Sequence, residues 1–192
     1  MPVLEDEHGT YIMNSKDLRA IEHVHKLVNI GVDSLKIEGR TKSHYYVART
    51  AQSYRMAIDD ALAGKPFNPQ LLGILENLAN RGYTDGFLER HHTQDYQNYI
   101  EGNSNSHQQQ FVGEVIAYNK TTGMAELDVK NKIRVGDKLE IIQPSGNVNV
   151  LLERMEDLQG NTIEEAPGSG WKIRIALPES AAQLGLVARY IA

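Results

Sequence analysis

Lys36, Glu38, Arg40 and Lys42 alternate along Ser34-Leu35-Lys36-Ile37-Glu38-Gly39-Arg40-Thr41-Lys42, a run that reads as a short strand opening directly into a helix. Two-residue spacing puts Lys36 and Glu38 on one face and Leu35 and Ile37 on the other. A parallel strand is normally apolar on both faces, so charges at its carboxyl end mark either a site or an ion pair inside a barrel. A helix opening after Gly39 would offer unpaired backbone donors beside Arg40 and Lys42, which suits a phosphate or carboxylate. The helix terminus contributes only about 0.3–1 kcal/mol, so such a site depends on charge-assisted bonds from the two cations, about 1.5–3 kcal/mol each. Glu38 is either a base or the group that orients Arg40. Flanking cations lower a carboxylate pKa and favour orientation.

The elements around this run read as strand, helix, strand, helix, helix. Thr10 to Met13 is strand-like, and Asn14 or Ser15 caps a helix with Leu18, Ile21, Val24, Leu27 and Val28 on its apolar side, ended by Gly31. Thr41 or Ser43 caps a long helix with the stripe Val47, Ala51, Tyr54, Ile58, Ala61 and Leu62. Arg49 and Arg55 fall off that stripe and read as a solvated face. Asn68 and Pro69 start a third helix through Leu71, Leu72, Leu75 and Leu78, which stops near Gly82. Two parallel strands cannot close an α/β domain, because a parallel sheet needs cover on both faces and neighbours at its edges.

From His91 to Gln110 the chain turns polar and reads as a linker. Beyond it, Val112–Tyr118, Met124–Val129, Lys138–Ile142, Val148–Arg154, Lys172–Ala176 and Leu186–Tyr190 are β-rich runs separated by glycine turns, the pattern of a small closed or half-open β-barrel. The expected fold class is therefore α/β plus all-β, with domains over 1–90 and 111–192 and a linker over 91–110.

Composition bounds the chemistry. The 192 residues are 41% apolar and 23% charged with a formal net charge of −5, the profile of a globular protein without a global pull on nucleic acid. Residues 1–109 hold 11 basic against 14 acidic groups and the remainder 9 against 11, so polyanion binding must be local. With no cysteine, the chain supplies no thiol nucleophile and no thiolate for zinc or an iron–sulfur cluster. His23 and His25 lie on nearly opposite sides of a helix and cannot share a metal. His91 and His92 lack a third ligand at suitable spacing, and Tyr96 and Tyr99 are a weak stacking signal. HExxH, GxSxG, GxxxxGK and GxGxxG are absent. No membrane span is expected, and a cytoplasmic location follows.

Asn14-Ser15-Lys16-Asp17-Leu18, Lys36-Ile37-Glu38-Gly39-Arg40, Lys42-Ser43, Tyr45-Tyr46-Val47-Ala48, Tyr54-Arg55 and Arg81-Gly82-Tyr83-Thr84-Asp85-Gly86-Phe87 together resemble the collagenase-like peptidase family of unknown catalytic type, in particular its bacterial branch that hydroxylates the wobble uridine of tRNA. The resemblance covers residues 3 to about 90. It is looser beyond the linker, where Val135-Gly136-Asp137-Lys138-Leu139-Glu140 suits the β-barrel that ends these proteins. It implies the terminal βα units of an incomplete TIM-like barrel followed by a small β-barrel, hence a carboxyl-terminal fragment inactive alone. It also implies an iron–sulfur cluster in the full-length parent, none in this fragment, and tRNA and prephenate as partners in 5-hydroxyuridine formation. The site it implies has Glu38 and Arg40 as catalytic residues and Lys16, Lys36, Lys42, Ser43 and Tyr45 as substrate-binding ones. The chain departs from relatives that carry cysteines, having Arg19 and Val47 at those positions. A collagenase-like peptidase and a non-catalytic RNA- or protein-binding barrel are the rival readings. Open edges of a truncated barrel predict self-association.

Overall fold

The computed structural model describes residues 3–6, 9–12, 14–86, 88, 97–98, 109–181 and 185–191, with side chains from residue 16 onward except at 97–98. The chain divides into two compact units, residues 1–107 and 108–192. No helix among the described residues is long and apolar enough to cross a membrane. The polar run 91–110, with His91, His92, Tyr96 and Tyr99, falls almost wholly outside the described residues.

In the first unit, β1 (Val3–Asp6) and β2 (Gly9–Ile12) form a hairpin. β3 (Asn14–Ser15) is followed by β4 (Asp17–Leu18), a 3₁₀ turn (Ile21–His23), α1 (Val24–Asn29), α2 (His44–Leu62), α3 (Gln70–Glu76), β5 (Tyr83–Thr84) and β6 (Gln97–Asn98). β3 pairs antiparallel with β6, and β4 pairs parallel with β5. The helix expected from Asn14 or Ser15 thus starts only at residue 21. The amides of Asp17 and Arg19 are held by the carbonyls of Gly82 and Thr84 at 2.9 and 2.8 Å, so tertiary pairing claims the turn that local pattern assigns to a helix. Gly31 ends α1 at φ 84°, a conformation glycine adopts freely.

The strand expected over Ser34–Glu38 does not form: the segment has no regular structure and no neighbouring strand pairs with it among the described residues. The helix does not open after Gly39 either. Lys42 N donates to Gly39 O at 3.0 Å in a turn, and α2 starts at His44 with Ser43 Oγ accepting from Tyr46 N at 3.2 Å. The buried face of α2 is Tyr45, Arg49, Thr50, Ser53 and Ala57, rotated from the apolar stripe the sequence suggests. Val47 is 39% and Leu62 69% exposed. Arg49, expected on a solvated face, is buried, with Nη1 donating to Gln52 Oε1 at 3.1 Å; Arg55 does lie at the surface, paired with Asp59.

The second unit contains β7 (Gln109–Asn119), β8 (Met124–Val129), β9 (Asn131–Arg134), β10 (Lys138–Ile142), β11 (Val148–Leu151), β12 (Met155–Glu156), β13 (Glu165–Gly168), β14 (Lys172–Ala176) and β15 (Leu186–Tyr190). Seven of them form one antiparallel sheet in the order β11-β10-β15-β7-β8-β14-β12, and β9 pairs with β13. The edge strands β11 and β12 are joined by only Leu152, Glu153 and Arg154, which bridge at most about 14 Å. The sheet must therefore curl until its two edges approach, giving a half-barrel. Its interior holds Val112, Leu127, Ile133, Leu139, Ile141, Ile173, Ile175 and Val187 at full burial. At Gly113 a Cβ would come within 2.5 Å of Asp128 O, so the β7–β8 approach admits no side chain there. Buried Glu140 accepts from Gln109 Nε2 at 2.7 Å and Asn147 Nδ2 at 2.6 Å, which satisfies its carboxylate within the fold.

Candidate functional site

A cleft of about 460 Å³ in the first unit is bounded by β4, the segment 34–38, one side of α2, and the residues entering β5. Its charged lining is Lys16, Arg19, Lys36, Lys42 and Arg81 against Asp17 and Glu38, a formal excess of three positive charges (five minus two). Leu18, Leu35, Ile37, Leu75 and the rings of Tyr46, Tyr54 and Tyr83 supply the apolar wall. Such a mixture fits a small anion that also carries apolar surface.

Asp17 is the centre of the charge network, with its side chain 8% exposed. Its carboxylate accepts from Lys42 Nζ at 2.5 Å and from Arg81 Nη2 and Nε at 3.2 and 3.4 Å. Lys42 also donates to Ala79 O and lies 4.8 Å from the centre of the Tyr46 ring. Three distant stretches of sequence are thereby tied to one side chain. Arg19 bridges Glu22 and Glu76 at 3.3 Å each and rests its guanidinium 4.8 Å from the Tyr83 ring centre, a cation–π contact.

The tyrosines form the polar floor. Tyr54 Oη accepts from Ala20 N at 2.8 Å, and Tyr83 Oη donates to Leu75 O at 2.8 Å. Burial raises the pKa of all three above the ordinary phenol value, with the Asp17 charge adding to the rise at Tyr46 and Tyr83. They are neutral at physiological pH and act as donors and walls.

The sequence-derived residues divide. Lys16, Lys36, Glu38 and Lys42 line the cleft together. Lys36 and Glu38 pair at 3.5 Å while 87% and 69% exposed, so they sit at the rim. Among the described residues no carboxylate pairs with Lys16, whose stem lies 3.8–3.9 Å from where a Cβ on Gly82 would be. Arg40 is exposed and outside the lining, Ser43 spends its hydroxyl on the helix cap, and Tyr45 is buried within α2. Sequence reasoning missed Asp17, Arg81 and the three tyrosines as a unit. Asp17 and Arg81 stand inside the quoted motifs, but nothing in their spacing shows that residues 64 apart meet.

No thiolate can come from this chain, and no group of three His, Asp or Glu among the described residues is placed to hold a metal. Arg19 is committed to two glutamates and a ring, and Val47 packs against Gly39, where an added Cβ would come within 2.8 Å of Val47 Cγ2. This donor set does not fit an iron–sulfur cluster, and no chemistry is routed through one here.

An α/β unit with a cationic, tyrosine-walled cleft and a curled all-β unit define a two-part chain. Residues 3–98 match peptidase family U32 and residues 107–189 match the peptidase family U32 C-terminal domain; the chain belongs to that family. It is 59% identical over 179 residues to "tRNA hydroxylation protein P" of Escherichia coli, covering 93% of this chain and 39% of that protein. "Collagenase" of Porphyromonas gingivalis is 28% identical over 91% of this chain and 49% of that protein. The crystal structure of the C-terminal domain of a Geobacillus thermoleovorans U32 peptidase aligns with 43% of this chain and 93% of its own at 24% identity and a TM-score of 0.39. The chain thus spans well under half the length of its E. coli relative.

Proposed function

We propose that this chain is the carboxyl-terminal, substrate-binding part of a prephenate-dependent tRNA wobble-uridine 5-hydroxylation protein, containing the last βα units of a TIM-like barrel. The observation that carries this reading is the cleft with three excess positive charges in the unit that matches the family. The tRNA hydroxylation name of a 59% identical relative supplies the reaction class. Lys16 and Lys36 hold the anionic group, a prephenate carboxylate or an RNA phosphate, while Asp17 fixes Lys42 and Arg81 behind them. The tyrosine rings cover the apolar part of the ligand. Glu38 stands at the rim nearest the reacting groups, with Arg40, outside the lining, as the weaker contributor. An iron–sulfur cluster in the longer protein would draw its thiolates from outside these 192 residues.

The test is mass spectrometry of total tRNA from cells whose own copy of the longer protein carries Lys16→Ala or Arg40→Ala. Lys16→Ala is expected to remove most 5-hydroxyuridine, with Arg40→Ala weaker because that side chain lies outside the cleft. Unchanged modification in Lys16→Ala overturns the assignment of the cleft.

A further inference from the structure

Arg174 stands in β14 between Ile173 and Ile175, and Glu126 in β8 between Ala125 and Leu127. All four neighbours are fully buried, so alternation turns both charged side chains away from the apolar interior. Glu156 of β12 lies opposite Arg174 in register, and Arg174 lies opposite Glu126, which puts the three in one cross-strand row. The row lines a groove of about 560 Å³ that also takes in Arg154, Tyr118 and Met124, all within the second unit. Opposite charges facing each other on neighbouring strands ordinarily pair. Here Glu156 takes its partner from Arg154, while among the described residues neither Arg174 nor Glu126 forms an ion pair or a side-chain hydrogen bond. Both are only partly exposed. The groove therefore holds an unspent guanidinium next to an unspent carboxylate.

The charges decide what fits. Two arginines and two glutamates cancel, so the groove has no general pull on a polyanion. A phosphate on Arg174 would stand against the Glu126 carboxylate. A ligand that carries an ammonium beside its own carboxylate meets both side chains with opposite charge. Their Cβ atoms are about 4.5–5.5 Å apart, as for any pair directly across a ladder, which suits two groups borne on one carbon. Tyr118 Oη donates to Leu177 O at 3.2 Å, which leaves its ring, with Met124, as an apolar wall. We propose that this groove binds a free α-amino acid with an apolar or aromatic side chain, its carboxylate on Arg174, its ammonium on Glu126 and its side chain against Tyr118 and Met124. The site stands apart from the cleft of the first unit and does not depend on the reaction proposed above.

The experiment is isothermal titration calorimetry of the 192-residue chain with L-phenylalanine, for which a Kd of about 0.1–1 mM is expected from a ligand of this size. Phenylalaninamide lacks the carboxylate and 3-phenylpropanoate lacks the ammonium; each is expected to bind about tenfold more weakly. Arg174→Ala is expected to weaken L-phenylalanine about tenfold and to leave phenylalaninamide unchanged. Glu126→Ala is expected to weaken L-phenylalanine by a similar factor and to leave 3-phenylpropanoate unchanged. Lys132→Ala, which removes a cation outside the groove, should alter none of the three. A urea midpoint that stays in place by Trp171 fluorescence separates lost binding from lost fold. Absence of L-phenylalanine binding overturns the proposal. Binding indifferent to Arg174→Ala or to Glu126→Ala also overturns it, because the ligand then sits elsewhere. Tighter binding of glycylphenylalanine, whose ammonium and carboxylate lie on different residues, overturns the assignment to a single amino acid. None of these results touches the reading of the cleft, which 5-hydroxyuridine levels decide.

Discussion

The two units are stabilised by different physics. Of the described buried apolar side chains, seven lie in the first unit, between Ile21 and Leu78, and nineteen in the second, between Val112 and Ala188. The half-barrel closes on a continuous apolar interior and carries ion pairs such as Lys120–Glu179 and Lys132–Glu165 at its surface. The α/β unit instead joins β4, the start of α2 and the approach to β5 through Asp17, and its helix α2 buries an arginine, a threonine and a serine. A unit held by polar contacts leaves a cleft with charge in it. A unit held by apolar packing specifies its shape and carries little chemistry.

Perturbing each unit in its own currency separates them. The largest effect is expected from Leu127→Ala in the half-barrel, where a fully buried side chain is lost; about 3–4 kcal/mol should disappear. Trp171, the single tryptophan, reports that unit selectively, and urea unfolding followed by its fluorescence should show a lowered midpoint. A midpoint unchanged by the substitution would deny the core its role. Asp17→Ala strips the acceptor from Lys42 and Arg81, both part-exposed, and is expected to cost the first unit about 2–3 kcal/mol. Hydrogen exchange across α2 should rise while Trp171 unfolding stays where it was. Coupled loss in both units would erase the contrast drawn here. Ser43→Ala removes the α2 cap and should cost about 1 kcal/mol, read as faster exchange in the first turn of the helix and little elsewhere.

Alkaline pH gives the mildest probe. Burial raises the folded pKa of Tyr46, Tyr54 and Tyr83 above the ordinary phenol value of about 10, so the unfolded chain releases these protons first. Their contribution is intact below pH 10 and is lost as pH rises above it, because unfolding then releases protons. Thermal unfolding of the first unit is expected to shift downward above pH 10, and Tyr54→Phe should reduce that shift. No difference between wild type and Tyr54→Phe would place that phenol outside the linkage.

How much was legible follows the same division. Met124–Val129, Lys138–Ile142, Lys172–Ala176 and Leu186–Tyr190 read as strands with the bounds the structure gives, since alternation along a half-buried strand is written in adjacent residues. β13 was missed because Pro167 argues against a strand except in a marginal pair such as β9–β13. In the α/β unit the third helix and the Ser43 cap were readable from local cap and turn chemistry. The buried face of α2 was not, because polar contacts and not apolar spacing decide which side turns inward.

The amino-acid sequence by itself determined the change from helical to strand periodicity along the chain, six of the seven strands of the half-barrel sheet, the helices α2 and α3, and the run that carries Lys36, Glu38, Arg40 and Lys42 at alternate positions. Only tertiary structure decided that Asp17 joins a strand and not a helix, that Arg81 reaches it from 64 residues away, that three tyrosines line the same cleft, and that Ser34–Glu38 stands unpaired. Local propensity is set by neighbours a few residues apart, whereas a parallel pair or a buried ion pair is set by whichever distant segment arrives to complete it.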